Sequence, residues 1–218
     1  MITKIEMDSL MKLPLYIDYS PESHREGLAT YFRAYLQEFM NRWLRENPNP
    51  DGSKYNLYRD GLRIYTTIDS RLQSIAEESV SEHMKSLQSE FFEQNKKSEE
   101  NPTPPFKDLR EGQVDTLIKL SAMRSERWRK MKLSGKSEDE IWDSFKVDTS
   151  MKVFSWNGDI DTIMKPIHSI RYYKSHLRAS MMSMEPQTGH VKAWVGGFNY
   201  KHFQYDQVKQ GRRQIFKW

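Results

Sequence analysis

The residues from Ala179 to Trp218 read ASMMSMEPQTGHVKAWVGGFNYKHFQYDQVKQGRRQIFKW, and they decide the predicted fold. Two short extended runs, Met181–Met184 and Val191–Val195, flank the turn Pro186-Gln187-Thr188-Gly189. Proline presets φ in such a turn, and glycine takes positive φ without steric cost. In the second run, the second and fourth residues lie on the face opposite the other three. The stretch therefore predicts an antiparallel β-hairpin that ends at Gly196-Gly197.

A second stretch that carries a clear pattern is DGLRIYTTIDSRLQSIAEESV, which begins at Asp60. Alternation over Leu62–Ile68 predicts a strand, and Asp69 stands at the N-cap position of a helix. We expect the packed face of that helix to carry Leu72, Ile75, Ala76, Ser79, Val80, His83, Leu87 and Phe91. On this face, His83 is predicted to be a packed histidine rather than a metal or substrate ligand.

The sequence pattern of the rest of the chain predicts mainly helices. Helical periodicity indicates an amphipathic helix over Gly27–Arg45 with an aromatic stripe, and another over Val114–Leu133. Ser137 and Glu140 form a capping box for a short helix, so that residues 112–146 are expected to be a helical insertion. A further short helix is predicted over Ser169–Leu177.

The remaining segments are predicted to be extended or irregular. Val147–Asn157 has an extended pattern, and Gly158-Asp159 is a turn signal. Gln94–Pro105 is polar and contains three prolines, which is typical of a linker. Beyond Gly197, aromatic residues alternate with polar ones. There His202 lies near Asp206 in sequence, and we predict a surface histidine rather than a catalytic pair because no nucleophile accompanies them.

Composition narrows the class of protein. The 218 residues are 37% hydrophobic and 12% aromatic with a mean hydropathy of −0.85, which indicates a folded rather than a disordered chain. The absence of cysteine excludes disulfides and thiolate metal sites. No apolar run reaches the length of a membrane span, and Met1 opens no signal-peptide pattern. We therefore expect either a cytosolic chain or a targeting segment upstream of it. The net charge is +4, and acidic residues are interleaved with the basic ones. The charged residues are therefore expected to form a solvated surface rather than a binding site for an anionic partner.

On these residues the chain resembles the class A penicillin-binding proteins. The family's hairpin pattern, [DE]-P-x-T-G-x-[VI]-x-A-x-V-G-G followed by R-R-Q, is matched by Glu185–Gly189, Ala193, Val195–Gly197 and Arg212-Arg213-Gln214. The stretch GLRIYTTIDSRLQSIAEESV resembles a block that lies between the family's two catalytic domains. The stretch from Phe154 to Lys174 is similar to Bacteroidetes-type members.

The resemblance implies an α+β fold, in which amphipathic helices and a small antiparallel sheet form the incomplete N-terminal edge of a transpeptidase domain. It implies four parts. Residues 1–15 would end a transglycosylase-like domain, and 16–59 would be a helical linker. Residues 60–178, with the insertion at 112–146, would lead into the transpeptidase, and 179–218 would be its truncated start. The implied function is peptidoglycan synthesis, by glycan polymerisation and D-Ala-D-Ala transpeptidation.

The catalytic motif of the family is not matched. The family's nucleophile is the serine of an S-x-x-K motif that stands in the sequence G-S-T-F-K. In this chain, Gln214 is followed by Ile215-Phe216-Lys217. Lys217 would take the place of the motif lysine without a serine to activate. Ser9–Lys12 and Ser155–Asn157 spell S-x-x-K and S-x-N, but no K-T-G accompanies them, so they are interpreted as chance. We therefore predict no catalytic, cofactor-binding or metal-binding residue in this chain.

The resemblance also implies partners and a location. Peptidoglycan, lipid II and the rest of the synthase are the expected partners. Nucleic acid is not expected, and membrane attachment would run only through a segment outside this chain. The location would be the periplasmic side of the bacterial inner membrane. The alternative function is a non-catalytic interaction module of the machinery that synthesises the cell wall.

Overall fold

The computed structural model describes residues 3, 4, 7, 11, 26–98, 104–106, 109 and 111–211. Within them the chain is α+β, as predicted, with seven helices and two antiparallel hairpins, β1–β2 and β3–β4. The helices are α1 (Thr30–Glu46), α2 (Ser70–Gln94), α3 (Glu111–Met123), α4 (Glu126–Leu133), α5 (Glu138–Ser144), α6 (Pro166–Lys174) and α7 (Gln207–Gln210). The strands are β1 (Thr149–Val153), β2 (Ile160–Met164), β3 (Met181–Met184) and β4 (Val191–Val195). None of these helices is long and apolar enough to cross a bilayer.

The helices α3, α4 and α5 form a helical subdomain with its own apolar core. Ala122, Trp128, Ile141 and Phe145 are buried together, and the Trp128 and Trp142 rings meet edge to face at 4.9 Å. The single helix predicted over 114–133 is wrong in one respect, because the chain breaks between α3 and α4. The Ser125 hydroxyl accepts a hydrogen bond from the Trp128 N–H and so caps a new helix. The predicted capping box is confirmed at the start of α5.

The long helix α2 packs against β4 through only part of the predicted face, at Ala76 and Val80. Its buried residues are Gln73, Ala76, Met84 and Gln88. Of the predicted face, Leu72 and Ile75 are exposed, and His83 is exposed as well, so the prediction of a packed histidine is wrong. The buried face is displaced from the predicted one by about one residue at Gln73, Met84 and Gln88, and the two glutamines lie against polar backbone groups. Asp69 caps α2 as predicted, accepting from the backbone of Arg71 and Leu72.

The strand predicted over Leu62–Ile68 is also wrong, since this segment forms no β-ladder. It reaches the edge of β4 only at its end, where the Asp69 N–H donates to the Lys192 carbonyl at 3.0 Å. The Thr67 hydroxyl donates to the Val191 carbonyl at 2.7 Å. A side chain from α2 occupies the next position along this edge, so backbone pairing does not extend further.

Other boundaries differ slightly from prediction. Helix α6 begins at Pro166, three residues before its predicted start, with proline in the first turn, where its missing N–H costs nothing. The short helix α7 follows the aromatic segment and was not predicted. The predicted hairpin β3–β4 is confirmed. Strand β1 lies within the segment predicted to be extended, but its pairing with β2 was not predicted. The Arg212-Arg213-Gln214 motif and Lys217 lie outside the described residues, as do Ser9 and Lys12 of the S-x-x-K match.

Candidate functional site

The turn that joins β3 to β4 explains why its sequence takes the form E-P-x-T-G. The Thr188 hydroxyl donates to the Glu185 carboxylate at 2.6 Å, and the His190 N–H donates back to that hydroxyl at 3.2 Å. Gly189 has φ of 73°, a left-handed conformation that glycine adopts most readily. The Thr188 hydrogen bond, aided by Lys192, lowers the pKa of the Glu185 carboxyl. The turn is therefore fixed by its own side chains.

One buried glutamine attaches α2 to β4, and we call this contact the α2–β4 joint. Gln73 is fully buried, and its amide nitrogen donates to the Trp194 carbonyl at 2.9 Å. Its amide oxygen accepts from the Trp194 N–H at 2.7 Å. The side chain thus satisfies both backbone groups of a strand residue, as a neighbouring strand would. Beneath it, Ala76 packs with Ala193 and Val195.

The start of α1 is joined to the same place. The Glu77 carboxylate accepts from the Gln73 amide at 2.7 Å and from the Ala29 N–H at 2.8 Å. Tyr31, in the first turn of α1, is 4% exposed and donates its hydroxyl hydrogen to the Phe203 carbonyl at 2.5 Å. Burial raises the pKa of the Tyr31 phenol well above its ordinary range, so it stays neutral.

The two glycines after β4 are required by this packing. A Cβ atom at Gly197 would overlap the Tyr31 hydroxyl, and one at Gly196 would overlap the Asp206 carboxylate. Asp206 in turn accepts from the Trp194 indole N–H at 3.0 Å and caps α7. The sequence V-G-G is therefore explained by the close approach of Tyr31 and Asp206 to the backbone.

A polar cleft of about 230 Å³ opens beside these glycines. Its lining includes Glu26, Glu77, Asn199, Tyr200 and Lys201. The cleft thus places two carboxylates and one ammonium group near the N-terminus of α1. No group of three or more metal-ligating side chains forms a candidate metal site in the described part of the chain.

His202 is not the surface histidine that the sequence predicts. Its side chain is 10% exposed, and its partner is Asp159 rather than Asp206, with Nε2 2.8 Å from the carboxylate. Its Nδ1 lies 3.0 Å from the Tyr173 hydroxyl, which also accepts from the Phe154 N–H at 3.1 Å. The contact joins the β1–β2 hairpin and α6 to the loop after β4.

The Asp159–His202–Tyr173 arrangement has the order of a catalytic triad but not its chemistry. Burial raises the pKa of the Tyr173 phenol, so the hydroxyl is a poor nucleophile. The Tyr173 hydroxyl already accepts a hydrogen bond from the Phe154 N–H, and Lys201 contacts Asp159 at 2.8 Å. We therefore assign these residues a structural role. Ser155, of the S-x-N motif, donates to the Gly158 carbonyl within a turn, consistent with a chance match.

A second glutamine of α2 repeats the pattern of the joint. Gln88 is 1% exposed, its nitrogen donates to the Ser175 carbonyl at 3.1 Å, and its oxygen accepts from the Leu177 N–H at 2.8 Å. The two glutamines are fifteen residues apart, or about 22 Å along the helix. Helix α2 therefore supports both β4 and the chain that leads into β3.

Neither glutamine was among the residues that sequence reasoning selected. The available signal was a polar residue whose position falls beside the apolar stripe of α2. Counting apolar positions along a helix does not select such a polar residue, because its role depends on backbone groups more than eighty residues away in the sequence.

Comparisons with known proteins find one family model and several relatives that match this chain. A family model described as "Penicillin-binding protein middle domain" matches residues 101–177. Penicillin-binding protein 1A of Rickettsia prowazekii (strain Madrid E) is 26% identical over 203 residues, covering 85% of this chain and 24% of the relative. The corresponding proteins of Rickettsia bellii (strain RML369-C) and Rickettsia felis (strain ATCC VR-1525 / URRWXCal2) are 24% and 25% identical, covering 75% and 85% of this chain.

These matches support a relationship between this chain and the penicillin-binding proteins. The chain spans about a quarter of the length of the curated relatives it matches. No solved structure gives a significant match.

Proposed function

We propose that this chain is part of a class A penicillin-binding protein of the Bacteroidetes type. Its parent would polymerise glycan strands and cross-link stem peptides in peptidoglycan synthesis, on the periplasmic side of the inner membrane. Residues 1–15 would end the transglycosylase-like domain, 16–59 would link it to the inter-domain region at 60–178, and 179–218 would begin the transpeptidase domain. The matches to penicillin-binding protein 1A support the class.

The observation that carries the proposal is the α2–β4 joint. The two sequence blocks that resemble the family, which begin at Asp60 and at Met181, are more than a hundred residues apart. They meet through Asp69, Thr67 and Gln73 on the edge of β4. We infer that the inter-domain region serves as the support on which the transpeptidase hairpin is built.

A chimaera tests this role. Residues 26–211 would replace the matching segment of the Rickettsia prowazekii protein, and binding of a fluorescent penicillin would be measured. We expect the chimaera to bind it, and Gln73→Met to reduce binding by removing the joint. Gln94→Met, at the exposed end of α2, is the matched control. A soluble chimaera that binds equally well with Gln73→Met would contradict the proposed support.

The 218-residue chain itself would not react with penicillin. Ile215 precedes Phe216-Lys217 where the family has G-S-T, so no serine is placed for acylation. Incubation with excess fluorescent penicillin, followed by intact mass measurement, should show the unmodified chain. A stable adduct of penicillin mass would refute this expectation.

A non-catalytic interaction module of the cell-wall machinery is the second candidate function. An open groove along α1 favours it, because α1 packs on the joint through one face and leaves this groove uncovered by described residues. This function requires the chain to fold as a unit. A single cooperative thermal transition of the purified chain would support it, and an aggregated or molten product would count against it.

A further inference from the structure

The groove along α1 is made of two adjoining clefts of about 240 and 400 Å³. One wall is α1, and the other is the loop that follows it. Leu57 and Tyr58 of this loop line both clefts, so the two share part of one wall. The smaller cleft is mostly apolar, with Leu36, Met40 and Ile64 contributing to its lining. These dimensions suit several side chains of a peptide segment.

The loop wall of the groove is held in place by local hydrogen bonds. The Gln37 amide on α1 contacts the Tyr58 hydroxyl across the groove. Within the loop, the Tyr58 N–H donates to the Asn56 side chain at 3.0 Å, and the Asn56 N–H donates to Asp60 at 2.5 Å. The groove therefore exists before any partner arrives, which lowers the entropy cost of binding.

The charged residues that line the groove all have one sign. Arg33 lines the apolar cleft, while Arg45 and Lys54 line the larger one, and no described aspartate or glutamate lines either. Arg33 is engaged with the Glu26 carbonyl, but neither Arg45 nor Lys54 forms an ion pair with a described residue. Two acids of the loop, Asp60 and Asp51, accept hydrogen bonds from the Asn56 and Ser53 backbone N–H groups within the loop.

We propose that this groove binds a peptide segment of a partner protein that carries apolar side chains next to carboxylates. The apolar side chains would fill the cleft at Met40 and Ile64, and the carboxylates would pair with Arg45 and Lys54. A concave cleft with an apolar floor favours a peptide over a planar bilayer. Preformed hydrophobic grooves are a recurring mode of peptide recognition, and complementary charge selects the partner.

The probe is a fluorescein-labelled peptide of about twelve residues that alternates leucine and glutamate, with a leucine–lysine peptide of equal length as its counterpart. Fluorescence anisotropy with the 218-residue chain should show binding of the acidic peptide that weakens as salt rises, because exposed charges are screened. The basic peptide should bind at least about tenfold more weakly. Equal affinity for the two peptides, or no binding of the acidic one, overturns the proposal.

Variants locate the site. Arg45→Glu with Lys54→Glu should weaken binding about tenfold or more, corresponding to about 1.4 kcal/mol. Lys119→Glu with Arg129→Glu makes the same charge change on exposed positions of the helical subdomain and should have little effect. Ile64→Asp in the groove should also weaken binding, whereas Ile163→Asp on exposed β2 should not.

Two further outcomes would replace the proposal with another partner class. Competition by an oligothymidylate as strong as that by unlabelled acidic peptide would indicate nucleic acid. Sedimentation with vesicles of anionic lipid, abolished by the Arg45→Glu, Lys54→Glu pair, would indicate a membrane surface. We expect neither, because both ligands lack the apolar side chains that the cleft at Met40 and Ile64 accommodates.

Discussion

The helical subdomain and the α2–β4 joint are stabilised in different ways. In the subdomain, Trp128, Ile141 and Phe145 come from within about twenty residues of one another and pack by apolar and aromatic contact. At the joint, Gln73 meets Trp194 across 121 positions of sequence, and the contact is a pair of hydrogen bonds in a buried place. The helical subdomain is held by apolar residues close together in the sequence, whereas the α2–β4 joint is held by polar groups far apart in the sequence.

The two kinds of contact respond differently to substitution. An apolar core loses stability in proportion to the volume removed, and its neighbours relax into part of the space. A buried hydrogen-bonded pair loses more than its modest net value, because removal of one partner leaves the other without a hydrogen bond. The joint is therefore expected to be the more specific contact, and the subdomain core the larger source of stability.

The largest effect is expected from Trp128→Ala in the subdomain. Truncation of a buried tryptophan typically costs about 3–5 kcal/mol, and Trp128 is 4% exposed. Hydrogen exchange should accelerate across α3, α4 and α5 much more than at the Trp194 amide. Equal acceleration at both places would show that the two regions unfold as one and would break the comparison.

Gln73→Met tests the joint with a side chain of similar length. It leaves the Trp194 N–H and carbonyl without their partner, at about 1–3 kcal/mol for each unsatisfied group. We expect a loss of about 2–3 kcal/mol in urea unfolding and faster exchange of the Trp194 amide. Gln94→Met, in the last turn of the same helix, is the control and should change stability by less than about 0.5 kcal/mol. A Gln73→Met variant as stable as this control would mean that the joint contributes no stability.

The same contrast explains which parts of the fold could be predicted from sequence. The capping box at Ser137 and the E-P-x-T-G turn act over a few residues, and both were predicted correctly. The face of α2 was predicted only in part, because Gln73 and Gln88 are buried by hydrogen bonds to backbone groups of other elements. His202 was misplaced for the same reason, since Asp159 lies 43 positions away while Asp206 is four.

Ser137→Ala tests the local side of the comparison. The Ser137 hydroxyl accepts from the Glu140 N–H, and loss of such a cap costs about 1 kcal/mol. Ser137→Asp should restore most of the loss, because aspartate accepts the same hydrogen bond. Urea unfolding of the three proteins measures the difference. A loss that Ser137→Asp does not recover would point to packing rather than capping.

The smallest effect is expected at Asp159, where the β1–β2 hairpin meets the loop after β4. Hydrogen bonds from Lys201 and then His202 lower the pKa of the Asp159 carboxyl below its ordinary 3.8. Ionised Asp159 therefore stabilises the fold above that value, and the contribution disappears as pH falls through the lower folded pKa. The hydrogen bond to Asp159 also raises the pKa of the Lys201 ammonium group, so the contribution of Lys201 to stability is lost only at alkaline pH.

Asp159→Asn should consequently lower stability at neutral pH, and the gap from the wild type should close as pH falls below 3.8 and through the lower folded pKa. Urea midpoints measured across this range test the sign. Asp161→Asn removes an equal charge from an exposed side chain of β2 and should give a smaller gap at neutral pH. A gap that stays constant in acid would show that Asp159 acts through its shape rather than its charge. The contact at His202 would then be another polar joint held by hydrogen-bond geometry, like that of Gln73.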